Sequence, residues 1–400
     1  MADNPRVRRH SRPTSLVVVL AATIFSLGLG FLIKSPCLGS WSDGRQYNRL
    51  CYSDVAALYA SEDRDRGLDQ DRVPYVDGEN EYPVLTGLFM GLAALPADSY
   101  ASFFVWTAAL LTVCALATSW ALHRAAGGNA LLFALSPTLA IYGFLNWDLL
   151  AVALATGATL AHLRRRDGAA GVLLGLGTAA KLYPGLLLVP FAVGLVREGR
   201  RGDAQRMLGA AAIAWGIMNL PLAAASPERW SEFFRFNAER SADWDSVWFL
   251  LQRHLGVTWD PSTVNVLAAA SFVGIAALLW RAASRRGVPA WTFGFPLLVV
   301  FLLTSKVYSP QYGLWLIPWF ALVLPDLRLF AAFQAADVAV FVTRFQFFAR
   351  YGDTGEGLPF WSFELALLIR AAILVVCVVA WLRRQPEPRP LGAALVAESA

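Results

Sequence analysis

Long apolar runs alternate with short polar breaks along most of this chain. The first run, LVVVLAATIFSLGLGFLI at 16–33, and the last, AAILVVCVVAWL at 371–382, contain no charged residue. A helix needs about 20 mostly apolar residues to cross the hydrocarbon core of a bilayer, and counted against that requirement the pattern predicts about twelve spans. They fall near 16–33, 100–122, 129–145, a fourth ending at Arg164–Arg166, two short ones within 169–196 interrupted at K-L-Y-P (181–184), 207–225, an eighth ending at Arg281–Arg286, two within 288–324 separated by S-K-V-Y-S-P-Q-Y, 329–345 and 361–382. Two polar loops interrupt the series, at 34–99 and 226–262. Within the first, EYPVLTGLFMGLAALP (81–96) is apolar but short and bounded by proline, which predicts a helix lying in the membrane interface. The fold class is therefore all-α, a multi-pass transmembrane helical bundle.

Charge orients this bundle. Every even-numbered span ends at or near arginine: Arg124, Arg164–Arg166, the REGRRGDAQR stretch at 197–206, Arg281–Arg286, Arg328 and Arg383. Lys and Arg accumulate on the cytoplasmic side of membrane proteins, so both termini are expected in the cytoplasm and both large loops outside the cell membrane. Residues 1–15 then form a basic cytoplasmic tail, 16–382 the transmembrane domain, and 383–400 a cytoplasmic tail of disordered composition. The basic start resembles a signal-peptide n-region, but the apolar run is long and no A-x-A site follows, which predicts a retained signal anchor.

At 56% hydrophobic residues and a mean hydropathy of +0.48, a soluble chain would expose large apolar patches. The net charge of +5 follows from topology and does not point to nucleic acid. No internal repeat is visible, which argues against a transporter built from inverted repeats. No Walker motif, G-x-S-x-G or HExxH is present, and no His/Cys cluster has zinc spacing.

Lysine occurs only at 34, 181 and 306. All three fall at expected outer ends of helices, where a cation serves no topological purpose. Lys181 and Lys306 are candidates to hold a lipid phosphate; the alternative is snorkelling to the interface, the reading favoured for Lys34. Asp54, in S-D-V-A-A-L-Y, is a carboxylate near the outer membrane surface and a candidate general base, although a solvated or helix-capping acid would look the same. Glu79 and Glu81 either bind an acceptor sugar or cap the interfacial helix. Asp148, in N-W-D, either orients a sugar hydroxyl or terminates a span. The loop E-R-S-A-D-W-D-S-V-W (239–248) offers Arg240, Asp243 and Trp244 for stacking on a sugar, or forms part of an interfacial tryptophan belt. Asp337 and Arg370 lie at comparable depth in the last two spans; either they face each other, or Arg370 reaches a lipid phosphate. Cys37 and Cys51 share the first outer loop and can form a disulfide in an oxidising exterior, while Cys114 and Cys377 read as packing residues.

Taken in order, S-D-V-A-A-L-Y with E-Y-P, N-W-D, G-L-G-T-A-A-K-L-Y-P, W-D-S-V-W and K-V-Y-S-P-Q-Y-G-L-W-L-I-P-W resemble glycosyltransferase family 87 of the GT-C superfamily, whose members are actinobacterial membrane mannosyltransferases. The resemblance implies a GT-C-like bundle that moves a hexose, expected to be mannose, from a polyprenyl phosphate donor to a glycolipid or glycan acceptor outside the cytoplasm. It implies Asp54 as the catalytic base and the motifs around Lys181 and Lys306 as donor-phosphate contacts, with Tyr308 and Gln311 bordering the same pocket. No redox cofactor is expected, and metal independence is favoured because basic residues can neutralise the phosphate. A lipid-carrier translocase and a non-catalytic partner in envelope assembly are the alternatives from other classes.

Overall fold

The computed structural model describes residues 14–39, 44–60, 75, 80–352 and 356–383. Most of the two expected tails, and Glu79, lie outside the described residues. Among those described, the chain is helix and loop without a strand. α1 (Leu16–Lys34) begins at Ser15, whose hydroxyl accepts the Val18 amide. The first polar loop carries α2 (Arg45–Asn48), α3 (Asp54–Ala60) and α4 (Val84–Ala94), the last matching the short apolar segment expected there. α5 (Tyr100–Ala126) opens with a capping box formed by Ser99 and Ser102.

The segment expected as one span at 129–145 is instead broken into α6 (Leu131–Ala134) and α7 (Pro137–Tyr142), because Pro137 cannot continue a preceding helix. α8 (Asp148–Leu163) and α9 (Asp167–Ala180) form an antiparallel pair, followed by α10 (Tyr183–Leu186), α11 (Leu188–Arg197) and α12 (Arg201–Ala225). The second polar loop holds two helices with apolar and polar faces, α13 (Pro227–Glu239) and α14 (Val247–Leu255). α15 (Pro261–Arg285), α16 (Gly294–Thr304), α17 (Gly313–Val323), α18 (Leu327–Tyr351) and α19 (Phe360–Arg383) complete the fold.

Among the described residues, five segments are long and apolar enough to cross a membrane: Leu16–Cys37, Tyr100–Ala134, Arg201–Ala225, Pro261–Arg285 and Phe360–Arg383. Several remaining apolar helices have only 10–17 residues. The physical reason is visible in α17. Leu314 through Ala321 are all buried, and the helix packs against α5, α6, α8 and α16. A helix surrounded by other helices has no lipid thickness to match. α15 is the opposite case: Val266, Val273 and Leu278 are exposed, as expected of a helix facing hydrocarbon.

Close helix contacts need small residues. A Cβ on Gly171 or Gly175 of α9 would lie 2.1 Å from the Met207 carbonyl oxygen or 2.3 Å from that of Ala211 on α12. Deep in the core, Arg370 pairs with Asp337 at 3.1 Å and lies over the Tyr308 ring at 3.8 Å, while Thr138 donates to the same carboxylate at 3.2 Å.

Arginines from the ends of several spans gather at one end. Arg200 bonds Asp167, Arg197 donates to Ser284 at 3.1 Å, and Arg286 donates to the Leu382 carbonyl at 3.1 Å. These contacts tie together the ends of α9, α11, α12, α15 and α19. α8 starts and α9 finishes at the other end of the bundle, at Asp148 and Ala180, and the polar loops meet there. Cys37 and Cys51 form a disulfide across that end, joining the foot of α1 to the strand of chain before α3.

Candidate active site

The segment Tyr52-Ser53-Asp54 is pinned by its backbone. The Asp54 amide donates to the Leu145 carbonyl at 2.8 Å, and the Ser53 hydroxyl donates to that of Phe144 at 2.6 Å. Lys34 holds the Tyr52 carbonyl at 2.6 Å and is only 1% exposed, so it does not snorkel as expected but anchors this turn. At the first position of α3, the Asp54 carboxylate accepts a hydrogen bond from Asn146 Nδ2 at 2.7 Å and another from Tyr52. Asn146 Nδ2 also donates to the Tyr82 hydroxyl at 3.0 Å, and Asn146 Oδ1 accepts the Trp147 amide, which fixes which way the side-chain amide points. Burial raises the Asp54 carboxyl above the ordinary carboxylate range; the Asn146 and Tyr52 bonds and the charges of Arg344 and Lys181 pull it part of the way back.

Asp148 starts α8 and Lys181 ends α9, where the backbone turns extended and stops the helix. Their side chains pair at 3.3 Å, and Trp315 Nε1 donates to the same Asp148 oxygen, Oδ1, at 2.7 Å. The Lys181 ammonium lies over the rings of Tyr312, at 5.1 Å, and Tyr82, at 5.7 Å.

These residues line a cleft of three chambers. The central one, about 290 Å³, has Asp54, Glu81, Asn146, Lys181, Arg240 and Arg344 in its wall. A larger chamber of about 370 Å³ shares Lys181 and Tyr312 with it and continues between apolar side chains of α15 and α16, including Ala268, Phe272 and Phe301. A small chamber of about 110 Å³ shares Tyr52, Asp54, Ser309, Gln311 and Arg344 with the central one and is closed by Tyr47, Phe345 and Phe348 together with Leu145 and Pro310. The apolar and small chambers have no lining residue in common. The order along the cleft is therefore apolar chamber, Lys181, central chamber, Asp54, small chamber.

The expected site residues are distributed unevenly over this geometry. Glu81, Lys181, Arg240, Asp243 and Gln311 join Asp54 in the central wall. Arg240 pairs with Asp243 at 3.3 Å. Lys306 lines the apolar chamber, but its ammonium donates to the carbonyls of Ala238, at 3.1 Å, and Arg240, at 2.8 Å, and so fastens the end of α13. Asp148 lies behind Lys181 at 1% exposure. The expectations that Arg370 reaches a phosphate, that Tyr308 borders the pocket and that Trp244 stacks on a sugar need correction, whereas the alternative that Asp337 and Arg370 face each other is met. Arg370 and Tyr308 are buried together with Asp337, away from the cleft lining, because an intramembrane guanidinium is best satisfied by a carboxylate. Trp244 packs into an aromatic cluster with Phe249, Phe347 and Phe360 instead of facing a sugar.

Sequence reasoning passed over Tyr52, Tyr82, Asn146, Tyr312 and Arg344. Asn146 and Tyr82 stood inside motifs already singled out. Arg344 stood at the far end of a span from its terminal Arg328, the same signal that marked Lys181. It pairs with Asp245 at 3.3 Å, and burial pushes that carboxyl up to about 7 despite the guanidinium beside it. Among the described residues no group of three or more His, Cys, Asp or Glu is placed to hold a metal ion.

The model of glycosyltransferase family 87 matches residues 81–310, more than half of the chain. The chain belongs to glycosyltransferase family 87. It is accordingly a membrane glycosyltransferase, and the family 87 match covers Glu81, Asn146, Lys181, Arg240 and Lys306; Asp54 precedes it and Arg344 follows it. Among solved structures the chain is similar to ArnT from Cupriavidus metallidurans in the apo state, with 15% identity over 92% of this chain and 76% of that one and a TM-score of 0.44. No curated protein sequence matches it.

Proposed function

We propose that this family 87 member transfers a hexose, mannose by the resemblance, from a polyprenyl phosphate to a glycolipid or glycan acceptor on the extracytoplasmic side of the cell membrane. The observation that carries the reading is the order of groups along the cleft. A carboxylate and an ammonium stand in the wall of one polar chamber, and only the ammonium side continues into an apolar chamber. A sugar joined through phosphate to a long hydrocarbon has that sequence of polarity.

In this reading the lipid tail lies in the apolar chamber against Phe272 and Phe301, the phosphate beside Lys181, and the sugar in the central chamber. Asp54 removes the proton of an acceptor hydroxyl. The new bond forms between that oxygen and the anomeric carbon, the bond from the anomeric carbon to the phosphate oxygen breaks, and polyprenyl phosphate leaves with the electron pair. One displacement inverts the anomeric centre. The leaving phosphate needs positive charge rather than a proton donor, which Lys181 and Arg240 supply. The collection of arginines at the opposite end of the bundle supports an extracytoplasmic cleft.

The test is an Asp54→Asn variant in a membrane assay with labelled polyprenyl-phosphate mannose. Loss of a general base is expected to slow transfer by about 10²–10⁴-fold. Transfer at the unaltered rate would remove the assignment.

A further inference from the structure

In the transfer reading above, the small chamber beyond Asp54 is left without a role. We propose that it is the acceptor subsite and that it takes a single terminal sugar ring, presented against the aromatic wall of Tyr47, Tyr52 and Phe345. This inference rests on the glycosyl-transfer reading above.

Stereochemistry supplies the first argument. In a single displacement the nucleophile approaches the anomeric carbon from the face opposite the leaving group, and the base sits on the nucleophile's side. The leaving phosphate is assigned to the Lys181 end. Asp54 lines both the central and the small chamber, whereas Lys181 lines the central and the apolar one. A hydroxyl reaching Asp54 from the small chamber therefore approaches the sugar from the side away from Lys181. A hydroxyl arriving through the apolar chamber would meet the phosphate first.

The lining supplies the second. Tyr47 and Tyr52 are nearly parallel, at 15° with centroids 5.9 Å apart, and Tyr47 and Phe345 lie at 17° and 6.3 Å. Aromatic walls suit the C–H faces of a pyranose and leave hydroxyls to polar neighbours. Those neighbours are Gln311 and Arg344, and each also reaches the central chamber. Volume supplies the third argument. At about 110 Å³ against about 290 Å³ for the central chamber, the space has no room for a glycan lying lengthwise. The specificity implied is for the end of an acceptor, with the rest of it outside.

The position of the wall is set by tertiary contacts. Tyr47 lies on α2, which packs against α18, the helix of Arg344 and Phe345. The disulfide at Cys51 and the Lys34 bond to Tyr52 hold the other side.

The experiment uses the full-length protein in membranes, with polyprenyl-phosphate mannose as donor and octyl α-mannoside as acceptor. Tyr47→Ala is expected to raise the KM for octyl α-mannoside by about tenfold or more relative to its effect on the donor KM, and Tyr47→Phe to restore it, because the ring and not the hydroxyl does the stacking. An equal change in both KM values, or an unaltered acceptor KM, would overturn the subsite. An independent readout is labelling of the Asp54→Asn protein by a photoreactive octyl α-mannoside. Adducts on peptides carrying Tyr47 or Phe345 support the assignment, and adducts at Phe272 or Phe301 refute it. Labelling at Tyr47 by a protein whose wild type never consumes the donor would keep the sugar subsite and reject the transfer reading.

Discussion

Lys181 and Asp148 form an ion pair at 3.3 Å in which only the lysine lines the cleft. Asp148 is 1% exposed and its second contact is the Trp315 indole at 2.7 Å. The carboxylate therefore acts on whatever enters the cleft by aiming the ammonium. Replacing Lys181 with Met is expected to weaken donor use by about 10–100-fold, the worth of a charge-assisted hydrogen bond of about 1.5–3 kcal/mol. Asp148→Asn keeps the lysine but loosens its aim, and should raise the donor KM by a smaller factor. Steady-state kinetics over a donor series would check both. A Lys181→Met enzyme with wild-type donor KM would exclude the phosphate role.

Asn146 should matter to rate more than to binding. Its amide fixes the Asp54 carboxylate at 2.7 Å and has no charge to offer a substrate. Asn146→Ala is expected to lower kcat by about 10–100-fold, corresponding to loss of one hydrogen bond to a charged group at about 1.5–3 kcal/mol. The donor KM should move by less. Comparing the two constants for this variant decides between a positioning residue and a ligand contact.

The pH profile carries a defined sign. A base works ionised, so activity should fall as pH drops through the Asp54 pKa, and burial puts that acid limb above the ordinary carboxylate range. Arg344 and Lys181 favour the ionised form. Arg344→Gln should therefore move the limb to higher pH. Stability runs the other way. A folded-state pKa above the unfolded one means that the native protein binds more protons, so the Asp54 contribution falls as pH rises from the unfolded value through the folded one. A rate profile of wild type and Arg344→Gln between pH 4 and 8 tests the direction; a limb unmoved or moved to lower pH would contradict it.

The Asp337–Arg370 pair is structural, and its test is thermal. Removing one partner leaves a buried charge alone, at a cost of about 3–5 kcal/mol. Asp337→Asn and Arg370→Gln should each lower the unfolding temperature in detergent, and the double variant should be more stable than either single one. A double variant no better folded than the singles would mean that the two residues do not compensate each other.

The membrane class, the short helix at Val84–Ala94 and the break at Lys181 were all legible in the chain, because each follows from local rules. Apolar length, proline placement and the end of an apolar run need no partner to be read. Lys181 was readable as a cation with no topological task. Arg370 was not assignable in the same way. Its sequence signal, a charge inside a span, is equally good for a ligand and for an ion pair, and only the packing of α18 on α19 brought Asp337 to 3.1 Å. Trp244 misled for the same reason, since a tryptophan between acids reads identically whether its ring meets a sugar or, as here, other aromatic rings.

By itself the sequence determined that this chain is a helical membrane protein with arginine at the ends of alternate spans and two long polar loops between others, because hydrophobicity and charge act residue by residue against the solvent. What the tertiary structure alone decided is the cleft. Asp54, Asn146, Lys181 and Arg344 come from elements far apart in the chain, and their distances depend on how α3, α8, α9 and α18 pack. No local propensity encodes such an approach, since it is the sum of many contacts each too small to be read from one position.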